Sequence, residues 1–134
     1  MTGFRSFEEM DVWKESRALT TSIREICKRG IVLRDWSFAD QITRSARSIS
    51  ANIAEGSDSM TVPEFIQSLG YAKRSAAETR SHLYDALDEK YISEQEFDRL
   101  SDLCKKICSM LAKLIHHLQK SNLNLKRTYK RSDE

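Results

Sequence analysis

The stretch Gln41–Gly56 of this 134-residue chain reads QITRSARSISANIAEG. Its apolar residues recur at spacings of three and four, which puts them on one face of a helix. Small residues stand on the rest of the surface, where a solvated helix normally carries long Lys and Glu side chains. The apolar stripe, which begins just before the stretch, consists of Ala39, Ile42, Ala46, Ile49 and Ile53. Such a helix packs closely against another element of the chain or against another copy of it.

The polar residues of this helix form two candidate sets. The first, which would permit close packing or assembly and satisfy the end of the helix, consists of Ser45, Ser48, Asn52, Glu55 and Gly56. The second, Arg44 and Arg47, carries positive charge that could meet a phosphate. A catalytic interpretation lacks a nucleophile, because the nearby serines have no histidine partner in the sequence. A packing and assembly role is therefore the interpretation that this helix favours.

A first helix is predicted ahead of this stretch, from about Phe7 to Lys28, with a core stripe at helical spacing. The segment that follows, residues 31–37, is predicted to be a loop. Trp36 and Phe38 are expected to cover that end of the core.

Two capping boxes mark the starts of a third and a fourth helix. Thr61 and Glu64 form the first box, and Ser93 and Glu96 form the second. Apolar residues at heptad spacing follow both. Because the loops between the helices are short, neighbouring helices should run antiparallel. The sequence therefore predicts an all-α fold, an antiparallel up-down-up-down four-helix bundle over residues 1–120.

Composition narrows the class of protein. The chain is 40% hydrophobic and 31% charged, with four Gly and one Pro, as expected for one helical domain. It contains neither the roughly 18 consecutive apolar residues of a membrane span nor a signal peptide at Met1. Cys27, Cys104 and Cys108 occupy apolar positions of helices, which is typical of reduced core thiols. A cytoplasmic protein without a membrane partner is predicted.

The net charge of +2 is unevenly distributed. Residues 1–120 contain 18 Lys and Arg and 18 Asp and Glu. Residues 121–134, predicted to be a short disordered tail, add four basic residues against two acidic ones. The candidate nucleic-acid-binding residues are therefore Arg44, Arg47, Lys73, Arg74, Lys126, Arg127, Lys130 and Arg131. The alternative for any single basic pair is that it lies on the solvent-exposed surface and only contributes to solubility.

Catalytic, metal and cofactor sites are not predicted. The adjacent His116 and His117 would point about 100° apart on a helix, so they cannot easily share one metal ion. No P-loop, dinucleotide fingerprint or zinc-protease motif is present.

The motif Gln41–Gly56 resembles, almost position for position, the signature of four-helix bundle proteins encoded in intervening sequences of 23S ribosomal RNA genes. Val12-Trp13, the pair Glu64-Phe65 and the later Tyr91-Ile92 are also similar to that family. The resemblance implies a bundle fold and, for relatives, a homopentamer. Distant relatives with this fold are accessory proteins of diversity-generating retroelements, which bind reverse transcriptase and nucleic acid.

The sequence thus predicts a non-enzymatic, homo-oligomeric helical bundle. It would bind RNA or DNA, or a nucleic-acid-processing protein. The alternative is a structural protein–protein interaction module with no direct nucleic-acid contact.

Overall fold

The computed structural model describes the backbone of residues 6–132 and the side chains of residues 6–123. A single 3-10 turn at Phe7–Glu9 leads into five helices. They are α1 (Asp11–Cys27), α2 (Gly30–Leu33), α3 (Trp36–Ser57), α4 (Val62–Asp88) and α5 (Glu94–Ser132). Residues 6–132 contain no strand, and none of their helices is long and apolar enough to cross a membrane. The predicted all-helical class is confirmed.

The four long helices enclose one hydrophobic core. α1 packs against α3 and α5, and α4 packs against the same two helices from the other side. Each long helix turns one apolar stripe inward, as amphipathic helices of a bundle do. The largest fully buried side chains are Met10, Leu19, Ile23, Ile42, Ile49, Ile53, Phe65, Leu69, Leu83, Leu100, Ile107 and Leu111. The helical bundle expected from the heptad spacing is confirmed.

The predicted caps position the helix starts. The Thr61 hydroxyl accepts a hydrogen bond of 3.2 Å from the backbone N–H of Glu64 at the start of α4. At the start of α5, the N–H of Glu96 donates to the Ser93 hydroxyl at 3.1 Å, and Glu96 Oε1 accepts from the N–H of Ser93 at 3.0 Å. These side chains satisfy N–H groups that have no partner within their own helix.

The segment between α1 and α3 differs from the prediction. Residues 30–33 form the short helix α2 instead of a loop. Trp36 is 76% exposed, so the expectation that it covers the core is wrong. Val32 is fully buried, and Phe38 packs on Tyr91 with ring centroids 5.2 Å apart. These three side chains cover the end of the core, which leaves Trp36 in solvent.

The backbone of α5 is helical through Ser132, so it includes most of the segment from residue 121 that was predicted as a tail. The segment contains no Gly or Pro, and it extends a helix that is already nucleated. Its Lys and Arg residues also complement the negative end of the helix dipole. The backbone therefore continues as helix where the apolar pattern fades.

Candidate functional site

The small residues of α3 meet small residues of α4. The hydroxyl of Thr79 lies 2.9 Å from that of Ser45, and Ser75 Oγ donates to Ser48 Oγ at 3.0 Å. Asn52 Nδ2 donates to the backbone oxygen of Ser48 at 2.8 Å. This hydroxyl seam lets two helices approach closely while the polar groups within it keep hydrogen-bond partners. In the structure, the neighbour of Ser45 and Ser48 is a helix of the same chain.

Gly56 continues this close approach at the end of α3. A Cβ atom added there would lie 2.7 Å from Cβ of Ser68 and 2.9 Å from Cδ1 of Phe65, closer than real Cβ atoms come to such neighbours. Gly56 itself is buried, whereas Glu55 beside it is exposed. Of the predicted packing residues, Ser45 and Gly56 are therefore buried against α4, and the half-buried Ser48 contacts Ser75 of α4. Asn52 is half-buried and bonds to Ser48 of its own helix, whereas Glu55 lies at the surface.

The candidate basic residues of α3 and α4 lie on the surfaces of their own helices. Arg44 and Arg47 are exposed, and Arg44 Nε lies 3.2 Å from Asp40 Oδ2 one turn away. On α4, Lys73 is exposed and Arg74 lies with its Cζ 5.8 Å from the ring centroid of Tyr71. The other candidates, Lys126, Arg127, Lys130 and Arg131, have side chains outside the described residues.

A larger charge asymmetry within α5 was missed by the sequence prediction. Residues 103–132 contain eight Lys and Arg and no Asp or Glu, whereas residues 1–102 contain 14 Lys and Arg against 18 Asp and Glu. The sign of the charge therefore changes after Asp102, well inside α5. The predicted boundary at residue 121 divides this basic stretch in two. The continuity of the helix, which the structure supplies, identifies it as one surface.

The described part of this basic stretch is accessible. Lys113, His116, His117 and Lys120 are exposed on α5. Lys106, nearer the middle of the helix, is held by an ion pair of 3.0 Å with Glu15 of α1. The positive charge that α1 does not neutralise in this way lies toward the C-terminal end.

Contacts between α4 and α5 locate that end relative to the bundle. The rings of Tyr84 and Phe97 are 4.7 Å apart, and Cys108 Sγ donates to the backbone oxygen of Lys73 at 3.8 Å. From the first pair to the second, the position on α4 decreases by 11 residues while the position on α5 increases by 11. Since α4 begins at Val62, its first turn lies level with residue 119 of α5. The backbone beyond that residue projects past the start of α4.

The opposite end of the bundle is fixed by an ionic cluster. The Arg29 guanidinium pairs with both carboxylate oxygens of Glu96, and its Nη1 donates to the backbone oxygen of Tyr91 at 2.8 Å. Arg29, together with the N–H of Ser93, lowers the pKa of Glu96 to about 2. The Tyr91 hydroxyl donates to Asp35, which raises the pKa of Tyr91 to about 12. Each shift has a structural partner that explains it.

A cleft of about 340 Å³ opens beside this cluster, between the start of α3 and the end of α4. His82 lies within it, with Nδ1 3.7 Å from Asp85 Oδ2 and Nε2 3.5 Å from Glu78 Oε1. The other acidic residues of its lining are Asp35, Asp88 and Glu89. Within the described residues, no group of three or more His, Cys, Asp and Glu side chains is arranged to hold a metal ion.

The cysteines sit where the helical pattern placed them. Cys104 is buried, and burial raises the pKa of its thiol to about 12. Cys108 is half-buried, and burial raises its pKa as well. Thiols in such surroundings are held in the neutral form, which is a poor nucleophile.

Comparison with known proteins identifies the family. The model of the 23S rRNA-intervening sequence protein family matches residues 8–113. The chain belongs to this family. The resemblance carried by Gln41–Gly56 is thereby confirmed, and the family match ends before the C-terminal part of α5.

A solved structure is similar in fold. It is a protein of unknown function from the S23 ribosomal protein family of Bacteroides thetaiotaomicron, with a TM-score of 0.71 and 24% sequence identity. The match covers 78% of this chain and 97% of that one. No curated protein matches the chain.

Proposed function

We propose that this 23S rRNA-intervening sequence protein is a non-enzymatic, homo-oligomeric helical bundle that binds nucleic acid through the basic half of α5. One observation carries the proposal: residues 103–132 form a continuous helical stretch with eight basic residues and no acidic one. Lys and Arg side chains that neutralise phosphates release counterions, which drives binding largely independently of base sequence. The rest of the chain, with more acidic than basic residues, holds this helix in place.

The antiparallel up-down-up-down path is part of the proposal. It is supported by the α4–α5 contacts described above and by the α3–α4 seam, where Ser45 meets Thr79 and Gly56 faces Ser68. The pairs Glu15–Lys106 and Arg29–Glu96 indicate the same opposition between α1 and α5. The homopentamer rests on the family resemblance. Five copies would multiply one basic helix into a larger polyanion-binding surface.

The positions of the groups with shifted pKa values support a non-enzymatic role. The pKa values of Glu96 and Tyr91 are shifted by partners that hold a helix start and a loop in place. The pKa values of Cys104 and Cys108 are raised by burial. Neither set of groups forms a nucleophile and base pair in a cleft. The three free thiols favour a reducing compartment, and we place the protein in the cytoplasm.

Fluorescence anisotropy with labelled oligonucleotides tests the binding. The full chain should bind 20-nucleotide RNA or DNA with an affinity that falls steeply between 50 and 200 mM salt. Deleting residues 122–134 should weaken binding at least about tenfold, because four of the eight basic residues in residues 103–132 are removed. The double substitution of Arg44 and Arg47 by Gln is the matched control on α3 and should change the affinity little. Unchanged affinity after the deletion would contradict the role of α5.

Assembly is tested separately by multi-angle light scattering. The proposal expects a homopentamer at micromolar concentration, whereas a monomer would exclude it. Because this measurement does not depend on nucleic acid, the two parts of the proposal can fail independently.

The alternative function is a protein–protein interaction module. It is favoured by the exposed apolar side chains of Ile31, Leu33 and Trp36 at the α2 end of the bundle, which are 54%, 63% and 76% exposed. Exposed apolar groups gathered in this way often mark contact surfaces. A pull-down with and without nuclease separates the functions: partners retained after nuclease favour the protein module, and partners lost favour nucleic acid.

A further inference from the structure

The side of α1 that faces away from the bundle carries a row of basic residues. Lys14, Arg17 and Arg24 are exposed on α1, and the exposed Lys28 follows directly after its last residue. At 100° per residue, these four positions fall within an arc of about 80° around the helix. They extend over about 21 Å at 1.5 Å per residue. The exposed surface of α1 therefore has a basic stripe along most of its length.

Most of this charge is not neutralised. Glu15 and Glu25 are the acidic residues of residues 12–28, and each is already in an ion pair of 3.0 Å, with Lys106 and with Lys28 respectively. Within the part of the chain whose side chains are described, the other three basic residues of the stripe form no ion pair. A solvated helix face normally mixes charges of both signs, so this stripe can attract an anionic ligand.

A recess lies on the same face of α1. Its volume is about 410 Å³, and its lining consists of Trp13, Lys14, Arg17, Ala18 and Thr21. The two small residues lie between the longer side chains, so the recess opens directly to solvent. It therefore combines two positive groups with one large aromatic ring.

The ring of Trp13 is held in a fixed place. Trp13 is half-buried, and its ring meets that of Phe7 edge to face, with centroids 5.0 Å apart and an angle of 63° between the planes. Arg17 Cζ lies 5.7 Å from the centroid of the Trp13 ring, within the range of a cation–π contact. An indole beside a guanidinium offers two flat surfaces on which a nucleobase can stack.

The stripe adjoins the basic residues of α5. The pair Glu15–Lys106 joins the two helices beside the recess. Lys113 and Lys120 follow Lys106 by two and four turns and point within about 40° of its direction. Both are exposed, so they extend the positive surface from α1 along α5.

We infer that this face of α1 binds single-stranded nucleic acid, with a base stacked in the recess at Trp13 and phosphates held by Lys14 and Arg17. The inference rests on the proposed nucleic-acid function, and it adds a site outside α5 and names the form of the ligand. Proteins that bind single strands combine a positive surface with aromatic rings in this way. In a duplex the faces of the bases are covered by their neighbours, so only its phosphates could reach the stripe. Single strands of RNA and of DNA share the groups that the recess contacts, and both should bind.

Tryptophan fluorescence tests the stacking directly. The chain contains two tryptophans, so Trp36→Phe leaves Trp13 as the single emitter, and Trp13→Phe leaves Trp36. A 20-nucleotide single strand should quench the emission of Trp13 in the first protein and leave that of Trp36 in the second nearly unchanged. An abasic strand of the same length should not quench either. Binding of the strand without quenching of Trp13 would overturn the inference and leave the proposed function intact, whereas no binding by anisotropy would remove both.

Charge substitutions test the phosphate contacts. The double substitution of Lys14 and Arg17 by Gln should lower the slope of log affinity against log salt by about 1.4, since each phosphate contact on a single strand contributes about 0.7. The matched control replaces Arg34 and Arg99, which are exposed on other elements, by Gln. It removes the same charge and should leave the slope nearly unchanged. Equal slopes for the two double variants would contradict a specific role of α1.

A comparison of ligands separates stacking from folding. Trp13→Ala should weaken binding of single-stranded RNA and DNA about tenfold, with little effect on a DNA duplex of the same length. Trp13→Phe keeps an aromatic ring and should retain most of the affinity for single strands. Circular dichroism and thermal unfolding check the fold of both variants, because Trp13 also packs on Phe7. An equal loss for single strands and duplex would mean that the ring supports the fold and does not contact a base, and the inference would be wrong.

Discussion

The hydroxyl of Tyr91 donates a hydrogen bond of 2.6 Å to Oδ2 of Asp35, across 56 residues of sequence. Asp35 is also the N-cap of α3, where its Oδ1 accepts from the N–H of Phe38 at 3.2 Å. One carboxylate therefore starts a helix and ties it to the loop between α4 and α5. Arg29, which lies between α1 and α2, holds the same loop through the backbone oxygen of Tyr91.

Because Asp35 makes both of these hydrogen bonds, substitutions of Asp35 and of Tyr91 should lower the free energy of unfolding by different amounts. Asp35→Ala should lower the free energy of unfolding by about 1–2 kcal/mol through the lost cap alone, and by more because Tyr91 loses its acceptor. Tyr91→Phe should destabilise the protein less, since the cap is kept. In the Asp35→Ala background, Tyr91→Phe should add little. Urea unfolding of the two single variants and the double variant measures this coupling, and simple additivity would contradict it.

The ion pair of Arg29 with Glu96 predicts a pH dependence. The pKa of Glu96 is lowered from 4.5 to about 2, chiefly by Arg29, so folding favours its charged form. Its stabilising contribution is complete above pH 4.5 and is lost as the pH falls toward 2. Thermal unfolding of the wild type and Glu96→Gln should therefore differ most above pH 5, and the difference should shrink below pH 4.5 and vanish only near pH 2. With Arg29→Gln in both proteins, the difference should shrink at every pH. A gap that stays constant from pH 7 to pH 2 would disprove the assignment.

Gly56 and Gly70 provide a matched pair of glycine substitutions. Gly56→Ala should destabilise the fold by about 1–3 kcal/mol, because the new Cβ would lie too close to Ser68 and Phe65 of α4. Gly70→Ala, also within a helix, has nothing within 4 Å of its new Cβ. It should stabilise the protein by about 0.5–1 kcal/mol through lower backbone entropy of the unfolded chain. Urea unfolding measures both changes in the free energy of unfolding. If the two changes had the same sign, the close packing of α3 on α4 at Gly56 would be contradicted.

The sequence predicted what depends on local pattern. Heptad spacing located the core faces of the helices. Ser93 and Glu96 form the capping box that was predicted at the start of α5. It also indicated that the small face of α3 needs a close neighbour. Two kinds of neighbour were possible, another helix of the chain or another copy of it. Contacts between distant residues, such as Ser45 and Thr79, 34 residues apart, identify the neighbour as α4.

Contacts between residues that lie far apart in the sequence could not be predicted. Arg29 and Glu96 are 67 residues apart, so no spacing rule could pair them. The basic character of α5 was obscured for a different reason. The apolar pattern fades near residue 121, and a boundary placed there divides the basic residues of one helix between a neutral body and a tail. Apolar periodicity reports on burial, and a helix that leaves its bundle can continue without it.

The burial of Cys104 predicts chemical protection. Its thiol pKa is raised to about 12 by burial, and that of Cys108 is raised as well, so at pH 8 little thiolate is present at either site. Iodoacetamide should modify Cys104 in the native protein only as fast as the bundle opens. In 8 M urea, the three cysteines should react at similar rates. Trypsin cleaves between Cys104 and Cys108 at Lys105 and Lys106, so peptide mass spectrometry follows the two sites separately. Rapid, complete modification of native Cys104 would mean that this side of α5 does not pack on the core as described.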